Sequence, residues 1–201
     1  RDSTKSALIM PLLPFSVSNA LTPQESPPDE FWLNLALCGV ATCQAFANKS
    51  MSHCDLKLAN MMLTESGVVL AVDFESALAF GLRTTRTTTP FVYFCDAFEA
   101  GPLFDLQFFG GSLAIEAGFV ADDSVDGEWK LLAITALRKE SSLVAKLAVI
   151  CLAAETVVSA WQSVVQLQAK TSANEALVVR RAAVEAISKQ AARLPEAKTA
   201  L

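Results

Sequence analysis

The sequence predicts a mostly helical α+β domain with a small β-hairpin, and three features support this fold class. Several long apolar stretches carry helical spacing, two short apolar runs flank a loop closed by glycine, and 201 residues suffice for one sizeable core. Apolar residues make up 52% of the chain and charged residues 18%, which argues against a disordered segment or a solvated coiled coil. We therefore expect one compact domain.

The first predicted elements are a strand and a buried helix. Residues 7–13 are short and apolar, and prolines close the run because proline continues neither a sheet ladder nor a helix. Residues 15–28 are rich in Ser, Asn, Thr and Pro and predict a loop. Two prolines and two acidic residues then favour a helix start, so a helix is predicted over 29–48. It is apolar on nearly all sides, which predicts burial.

A hairpin and a long irregular stretch follow. Residues 60–73 contain two short apolar runs around 64–67, which is the pattern of two antiparallel strands. From there to about Gly101 the sequence lacks a regular period and holds a threonine-rich cluster before Pro90. A stretch of this length outside regular structure is more often functional than idle.

The C-terminal half is predicted to be helical. The helical patterns cover residues 104–118, 128–136, 141–153 and 156–170.

The tail at 171–201 differs in character from the rest of the chain. Ser172 and Glu175 form a capping box, which predicts a helix start. The apolar residues of one stripe are Leu177, Val184, Ile187, Ala191 and Leu194. We expect an amphipathic helix over 172–194 that packs on the parent domain or contacts a partner helix.

Composition and charge restrict the function classes. The net charge of −5 gives no broad basic field, so we expect no nucleic-acid partner. The five cysteines form no C-x-x-C pair and His53 is the single histidine, so neither a zinc site nor a disulfide framework is predicted. The apolar stretches 31–48 and 147–169 both contain polar residues, which favours buried helices over membrane spans. With no secretory signal in view, we expect an intracellular protein, in the cytoplasm.

One segment carries the chemistry. Residues 53–60 read H-C-D-L-K-L-A-N, and after the hairpin the chain continues with D-F-E at 73–75. Asp55, Lys57 and Asn60 place a carboxylate, an ammonium and a carboxamide in one loop. Such a set suits phosphoryl transfer, where positioning and charge neutralisation matter more than covalent chemistry.

At these residues the sequence resembles the protein kinase family, whose catalytic loop reads H-R-D-L-x-x-x-N and whose metal-binding motif reads D-F-G. Six matching residues at fixed spacing arise by chance about once in several hundred thousand chains of this length. The resemblance covers about 1–170, with specific motifs at 53–74, and implies a kinase-like C-terminal lobe, starting at the hinge strand, followed by a helix and tail at 171–201.

The resemblance implies transfer of the ATP γ-phosphoryl group to protein Ser/Thr hydroxyls with Mg²⁺. Asp55 would accept or orient the hydroxyl proton, and Lys57 would neutralise phosphate charge. Asn60 and Asp73 would hold Mg²⁺ through hard oxygen atoms. The partners would be ATP and a protein substrate.

The resemblance also implies supporting residues. His53 and Asp105 would support the catalytic loop, and Thr89 would lie in the activation segment. The nucleotide hinge would be formed by Met10, Pro11 and Leu12.

Four departures from the family pattern keep other functions open. The Gly-rich loop, the strand Lys and its Glu partner do not precede the hinge strand, and position 1 is Arg, so we expect a fragment that lacks an N-terminal lobe. Cys54 replaces the family Arg, and Glu75 replaces the Gly of D-F-G. Asp96 stands for the A-P-E acid, with no Arg partner near Ser159. A pseudokinase or truncated lobe acting as a binding module is the main alternative, and a phosphotransferase for small molecules is a third.

Overall fold

A computed structural model of the chain describes residues 15–21, 27–64, 68–84, 90–120 and 129–170. This part is α+β and mostly helical, which confirms the predicted class at that level. Three predicted features lie outside the described residues: the strand at 7–13 with the hinge residues Met10, Pro11 and Leu12, the activation-segment residue Thr89, and the helix at 172–194.

The helices of the described residues are α1 (Val17–Ala20), α2 (Asp29–Ala47), α3 (Phe104–Glu116), α4 (Trp129–Leu137), α5 (Leu143–Ala153) and α6 (Val157–Lys170). The last five of these match the predicted helices, and their ends differ from the predicted ones by at most two residues. Local apolar patterning was sufficient for this agreement, because each helix is long and carries its own period.

In the same described ranges, two small antiparallel sheets accompany the helices. One has the order β1-β3-β4, from Phe15–Ser16, Met61–Leu63 and Val69–Ala71. The other pairs β2 (Met51–Ser52) with β5 (Leu78–Ala79). The hairpin predicted over 60–73 is therefore confirmed by the β3–β4 pair.

The loop prediction for residues 15–28 is wrong at its start. Phe15 pairs with Leu63 of the hairpin, and Ser16 caps α1 by accepting a hydrogen bond from the Asn19 backbone N–H at 3.1 Å. The pairing is non-local, so the polar composition of this stretch concealed it. A serine N-cap is enough to start a single helical turn, because it satisfies one of the free N–H groups.

Helix α3 lies at the centre of the core. Eleven of its consecutive residues, from Phe104 to Ala114, are buried, and the helix packs against α5 and α2. Close approach requires glycine here: a Cβ on Gly111 would overlap the Phe94 ring, and one on Gly39 of α2 would overlap the Phe109 ring. A buried central helix provides a rigid base for the loops that cross it.

In the described part of the chain, no helix has both the length and the apolar character that crossing a bilayer requires.

Candidate functional site

The loop at 53–60 joins β2 to β3 and is held by α3. The buried carboxylate of Asp105 accepts hydrogen bonds from the backbone N–H groups of His53, at 2.7 Å, and Cys54, at 2.9 Å. Seven residues along α3, Ser112 accepts the backbone N–H of Leu58 at 3.1 Å. Side chains of one rigid helix therefore fix the loop near both of its ends.

The two N–H donors give Asp105 an unusual electrostatic setting. Burial raises the pKa of this carboxyl group, and the hydrogen bonds from His53 and Cys54 oppose that rise. A buried carboxylate without partners would be costly, so the two donors make its position tolerable. In return, Asp105 satisfies two backbone groups that water cannot reach.

Asp55, Lys57 and Asn60 form one hydrogen-bonded cluster. The Lys57 ammonium donates to both carboxylate oxygens of Asp55, at 3.0 and 2.9 Å. The Asn60 amide donates to Asp55 Oδ2 at 2.8 Å and to the Asp55 backbone carbonyl at 2.9 Å. The structure thus brings together three of the residues that the sequence singles out.

This cluster is partly shielded from solvent. The side chain of Asp55 is 15% exposed and that of Lys57 is 17% exposed. Charge-assisted hydrogen bonds at such a site are stronger than those between freely solvated groups. The result is a carboxylate of fixed orientation with a cation beside it, able to accept a proton from a hydroxyl group or to steady an anion.

The hairpin returns the chain to this cluster. The Val72 backbone N–H donates to the Asn60 carbonyl at 2.9 Å, and the Val72 carbonyl lies 3.0 Å from His53 Nε2. Asp73, the next residue, is exposed and follows directly after these two contacts. The β3–β4 hairpin therefore brings Val72 beside Asn60, and Asp73 follows it in the chain.

Asn60 and Asp73 offer oxygen ligands that suit a hard cation such as Mg²⁺, but they would supply only part of its coordination shell. Because both Asn60 contacts to Asp55 use the amide nitrogen, the amide oxygen is left to face elsewhere. It and the Asp73 carboxylate are the donor types that Mg²⁺ prefers, and Mg²⁺ commonly completes its shell with water and phosphate oxygens. Among the described residues no group of three or more His, Cys, Asp or Glu side chains is arranged to hold a metal.

His53 is a structural residue of the loop. Its side chain is fully buried, and its ring centroid lies 5.5 Å from that of Phe46 and 5.2 Å from that of Phe74. Phe46 and Phe74 also stack on each other at 5.9 Å. The ring cluster joins α2, the loop at 53–60 and the residue after Asp73, and a fully buried imidazole cannot reach a substrate.

Left-handed backbone conformations are concentrated around this loop. Within the described residues, the non-glycine positions with positive φ are Ser50 (54°), Cys54 (62°) and Asp73 (67°). Each such residue costs about 1–2 kcal/mol, since its Cβ crowds the following carbonyl. Strain of this kind persists where surrounding contacts enforce it, and it is typical of functional loops.

The environment of the Cys54 thiol favours its protonated form. The side chain is buried, its sulfur lies 3.7 Å from the Ser52 carbonyl, and burial together with the Asp105 charge raises its pKa to about 12. At neutral pH the thiolate that would react is therefore almost absent. Cys54 has a packing role in this position.

Asp96 has a partner that the sequence did not reveal. Lys130 of α4 donates to both of its oxygens at 2.7 Å, and Gln107 of α3 donates as well. Burial opposes ionisation of Asp96, but these hydrogen bonds outweigh it and lower the pKa. Ser159, which has no arginine near it in the sequence, exchanges hydrogen bonds with Thr156 at the start of α6. A pair 34 residues apart leaves no spacing signal in a sequence.

A cavity of about 550 Å³ lies away from the loop. It is lined by the end of α2, by seven of the residues from 96 to 104, by Gln107, by the turn before α6 and by the first two residues of α6, Val157 and Val158. None of its lining residues comes from 53–73. The lining is mostly apolar, with carboxylates from Asp96, Glu99 and Glu155.

A scan against protein-family models finds no match to the chain, and a search of curated proteins finds no relative.

Proposed function

We propose that the chain is a protein kinase-like C-terminal lobe and that it acts in Mg²⁺-dependent transfer of the ATP γ-phosphoryl group to Ser/Thr hydroxyls of a protein. The observation that carries the proposal is the cluster of Asp55, Lys57 and Asn60, suspended from Asp105 and followed through the hairpin by Asp73. The same residues carry the sequence resemblance, so motif and geometry point to one chemistry.

Each residue has a role that its chemistry allows. Asp55 accepts or orients the proton of the attacking hydroxyl, since its carboxylate is held in one orientation. Lys57 neutralises charge on the transferred phosphoryl group. Asn60 and Asp73 offer oxygen ligands to Mg²⁺, which would link the loop to the nucleotide phosphates.

The rigidity of the loop at 53–60 supports the proposal, in addition to the residue types that the loop carries. Phosphoryl transfer gains most from groups held in place before the substrate arrives. Asp105 and Ser112 fix the loop backbone from α3, and the hydrogen bonds from Lys57 and Asn60 fix the Asp55 side chain. An ordinary solvated loop hydrogen-bonds to water, whereas this loop is held by the buried side chains of Asp105 and Ser112.

The remaining parts of the proposed reaction centre come from outside the described residues. Met10, Pro11 and Leu12 are proposed to contact the nucleotide at the hinge, and Thr89 is proposed to face the loop from the activation segment. An upstream lobe is proposed to cover the phosphates. The division into a lobe at 1–170 and a tail at 171–201 stays a prediction.

Asp55→Asn tests the proposal in the longest natural form of the protein that contains this chain. The substitution keeps the size of the side chain and removes the proton acceptor, so we expect turnover to fall on the order of 10²–10⁴-fold. The matched control is Asp29→Asn, the same change at an exposed position in the first turn of α2. Turnover that is unchanged in Asp55→Asn, with an unchanged melting temperature, would remove Asp55 from the mechanism.

A non-catalytic binding module is the second candidate. Glu75 adds a carboxylate beside the proposed metal position, and both oxygens of Asp55 are already occupied by Lys57. The cavity next to Asp96, apart from the loop, gives such a module a place to bind a ligand. This candidate predicts that no form of the protein binds Mg²⁺-ATP, whereas the first predicts binding.

A further inference from the structure

The cavity between the end of α2, the start of α3 and the start of α6 is apolar inside and acidic at its rim. Buried side chains form its inner wall, among them Phe104 and Val157, which are 4% and 5% exposed. Glu99 and Glu155 also line the cavity and are exposed, so they lie where it opens to solvent. The cavity therefore combines an apolar interior with negative charge at its mouth.

The carboxylates of Glu99 and Glu155 lack a partner among the described residues: no hydrogen bond or ion pair there engages either of them. Arg83 lies across from Glu99 in an isolated β-bridge, but no ion pair joins their side chains. Asp96 differs, because Lys130 already donates to both of its oxygens. The described lining contains no Lys, Arg or His, so the two glutamates leave uncompensated negative charge at the mouth.

We propose that this cavity binds a small organic cation that carries an ammonium or guanidinium group on an apolar body. The apolar body packs on Phe104 and Val157, and the cationic group faces Glu99 and Glu155. This site goes beyond the proposed phosphoryl transfer and does not depend on it, since no lining residue belongs to the loop at 53–60. For the alternative of a binding module, it names the class of ligand.

The size of the cavity favours a small molecule over one side chain of a partner protein. Its volume of about 550 Å³ lies within the range of roughly 300–1,000 Å³ that small-molecule sites occupy. A single lysine or arginine side chain would leave much of this space empty. A second copy of the chain does not supply the charge complement, because its net charge is −5.

The interior and the rim contribute differently to binding. Burial of the apolar body supplies most of the affinity, because it removes apolar surface from water. The two glutamates select for positive charge, and their effect is moderate because they are exposed. Two exposed charge pairs should make a cation bind about 2–30-fold more tightly than a neutral molecule of the same shape.

NMR titration of the full chain tests the proposal with phenethylamine as the cationic probe and phenethyl alcohol as the neutral probe. The two molecules differ only in the terminal ammonium or hydroxyl group. The backbone amide signals of Gly101, Thr156 and Val158 report on the cavity. They should give a dissociation constant about 2–30-fold lower for the amine. Added salt should weaken binding of the amine and leave that of the alcohol unchanged.

Removing the two charges tests the rim. The double variant Glu99→Gln with Glu155→Gln should raise the dissociation constant of phenethylamine to that of phenethyl alcohol and leave the latter unchanged. The matched control is Glu116→Gln with Glu140→Gln, which removes the same charge at two exposed positions outside the cavity lining. This control should leave both constants unchanged, because the cation responds to the local carboxylates and not to the net charge of the chain.

Filling the cavity tests the location. Ala97 is exposed and lines the cavity, so Ala97→Phe should abolish binding of both probes, whereas Ala41→Phe, at an exposed position of α2 outside the lining, should not. Equal binding of the two probes, unchanged binding of the amine to the Glu99 and Glu155 double variant, or no binding at millimolar concentrations would overturn the proposal. An arginine-containing tripeptide that binds where phenethylamine does not would assign the cavity to a partner protein and would overturn it as well.

Discussion

Replacing Asp105 should release the candidate loop from the core. Its carboxylate is the acceptor for two buried backbone N–H groups, those of His53 and Cys54. Asp105→Ala leaves both donors without a partner, whereas Asp105→Asn keeps one acceptor oxygen and turns an amide N–H₂ towards the second donor.

The loss of stability follows from the two hydrogen bonds that Asp105 accepts. A buried N–H left unsatisfied costs about 1–3 kcal/mol, so Asp105→Ala should lower the free energy of unfolding by about 2–6 kcal/mol. Asp105→Asn should lower it by about half as much. Removing the carboxylate also removes the cost of burying it, which moves the result towards the lower end of each range. Against a total stability of about 5–15 kcal/mol, this is a large share.

Urea unfolding followed by circular dichroism measures the loss. The matched control for Asp105→Asn is Asp96→Asn, the same change at a carboxylate whose side chain is 63% exposed, and it should cost less than about 1 kcal/mol. If Asp105→Asn is no more destabilising than Asp96→Asn, the loop is not anchored through Asp105.

The difference in unfolding free energy between the wild type and Asp105→Asn should depend on pH, with a definite sign. Since folding raises the pKa of Asp105, its ionisation is less favourable in the folded than in the unfolded chain. Its contribution to stability is therefore fully present below the unfolded value near 3.8 and declines as the pH rises towards the folded value. The stability difference between wild type and Asp105→Asn should be larger at pH 4 than at pH 7.

Three further outcomes are expected. Lys130→Met should raise the pKa of Asp96, measured by carboxyl NMR, because the hydrogen bonds from Lys130 lower this pKa. In the wild type, Asp96 contributes stability above its unfolded pKa near 3.8 and loses it as the pH falls through the lower folded pKa. In Lys130→Met this loss should occur at a higher pH. Cys54→Ser should leave the number of thiols that react with Ellman's reagent at pH 8 unchanged; one fewer would show the thiol to be accessible. Gly39→Ala should cost about 1–3 kcal/mol in urea unfolding because its Cβ meets the Phe109 ring of α3. Gly101→Ala should cost far less, because its Cβ meets only the Glu99 carbonyl oxygen, at an ordinary contact distance of 3.9 Å.

The helices were predictable because their information is local. Each of the five long helices carries enough apolar residues in its own segment to set its period, and Ser142 caps α5 by accepting the Ala145 N–H at 3.2 Å. The strand at Phe15 was missed, since its only reason to extend is a partner 48 residues later. Pairings at long range leave no trace in a local pattern.

The residue types of the candidate site could be predicted from the sequence, but most of their hydrogen-bond partners could not. Asp55, Lys57 and Asn60 stand close together in the chain, so their shared loop follows from the sequence. The hydrogen bonds from the loop backbone to Asp105 span about fifty residues, and the resemblance alone suggested them. The pairing of Asp96 with Lys130 had no sequence signal of any kind.

The most direct test of the central claim is Mg²⁺-dependent binding of ATP, measured by calorimetry on this chain and on its longest natural upstream extension. Asp73→Ala removes a proposed metal ligand, and Asp29→Ala is the control at an exposed carboxylate. We expect the extended form to bind ATP, to lose this binding with Asp73→Ala and to keep it with Asp29→Ala. Absence of binding in both forms would contradict the central claim and would leave the loop of Asp55 as a scaffold without phosphoryl-transfer activity.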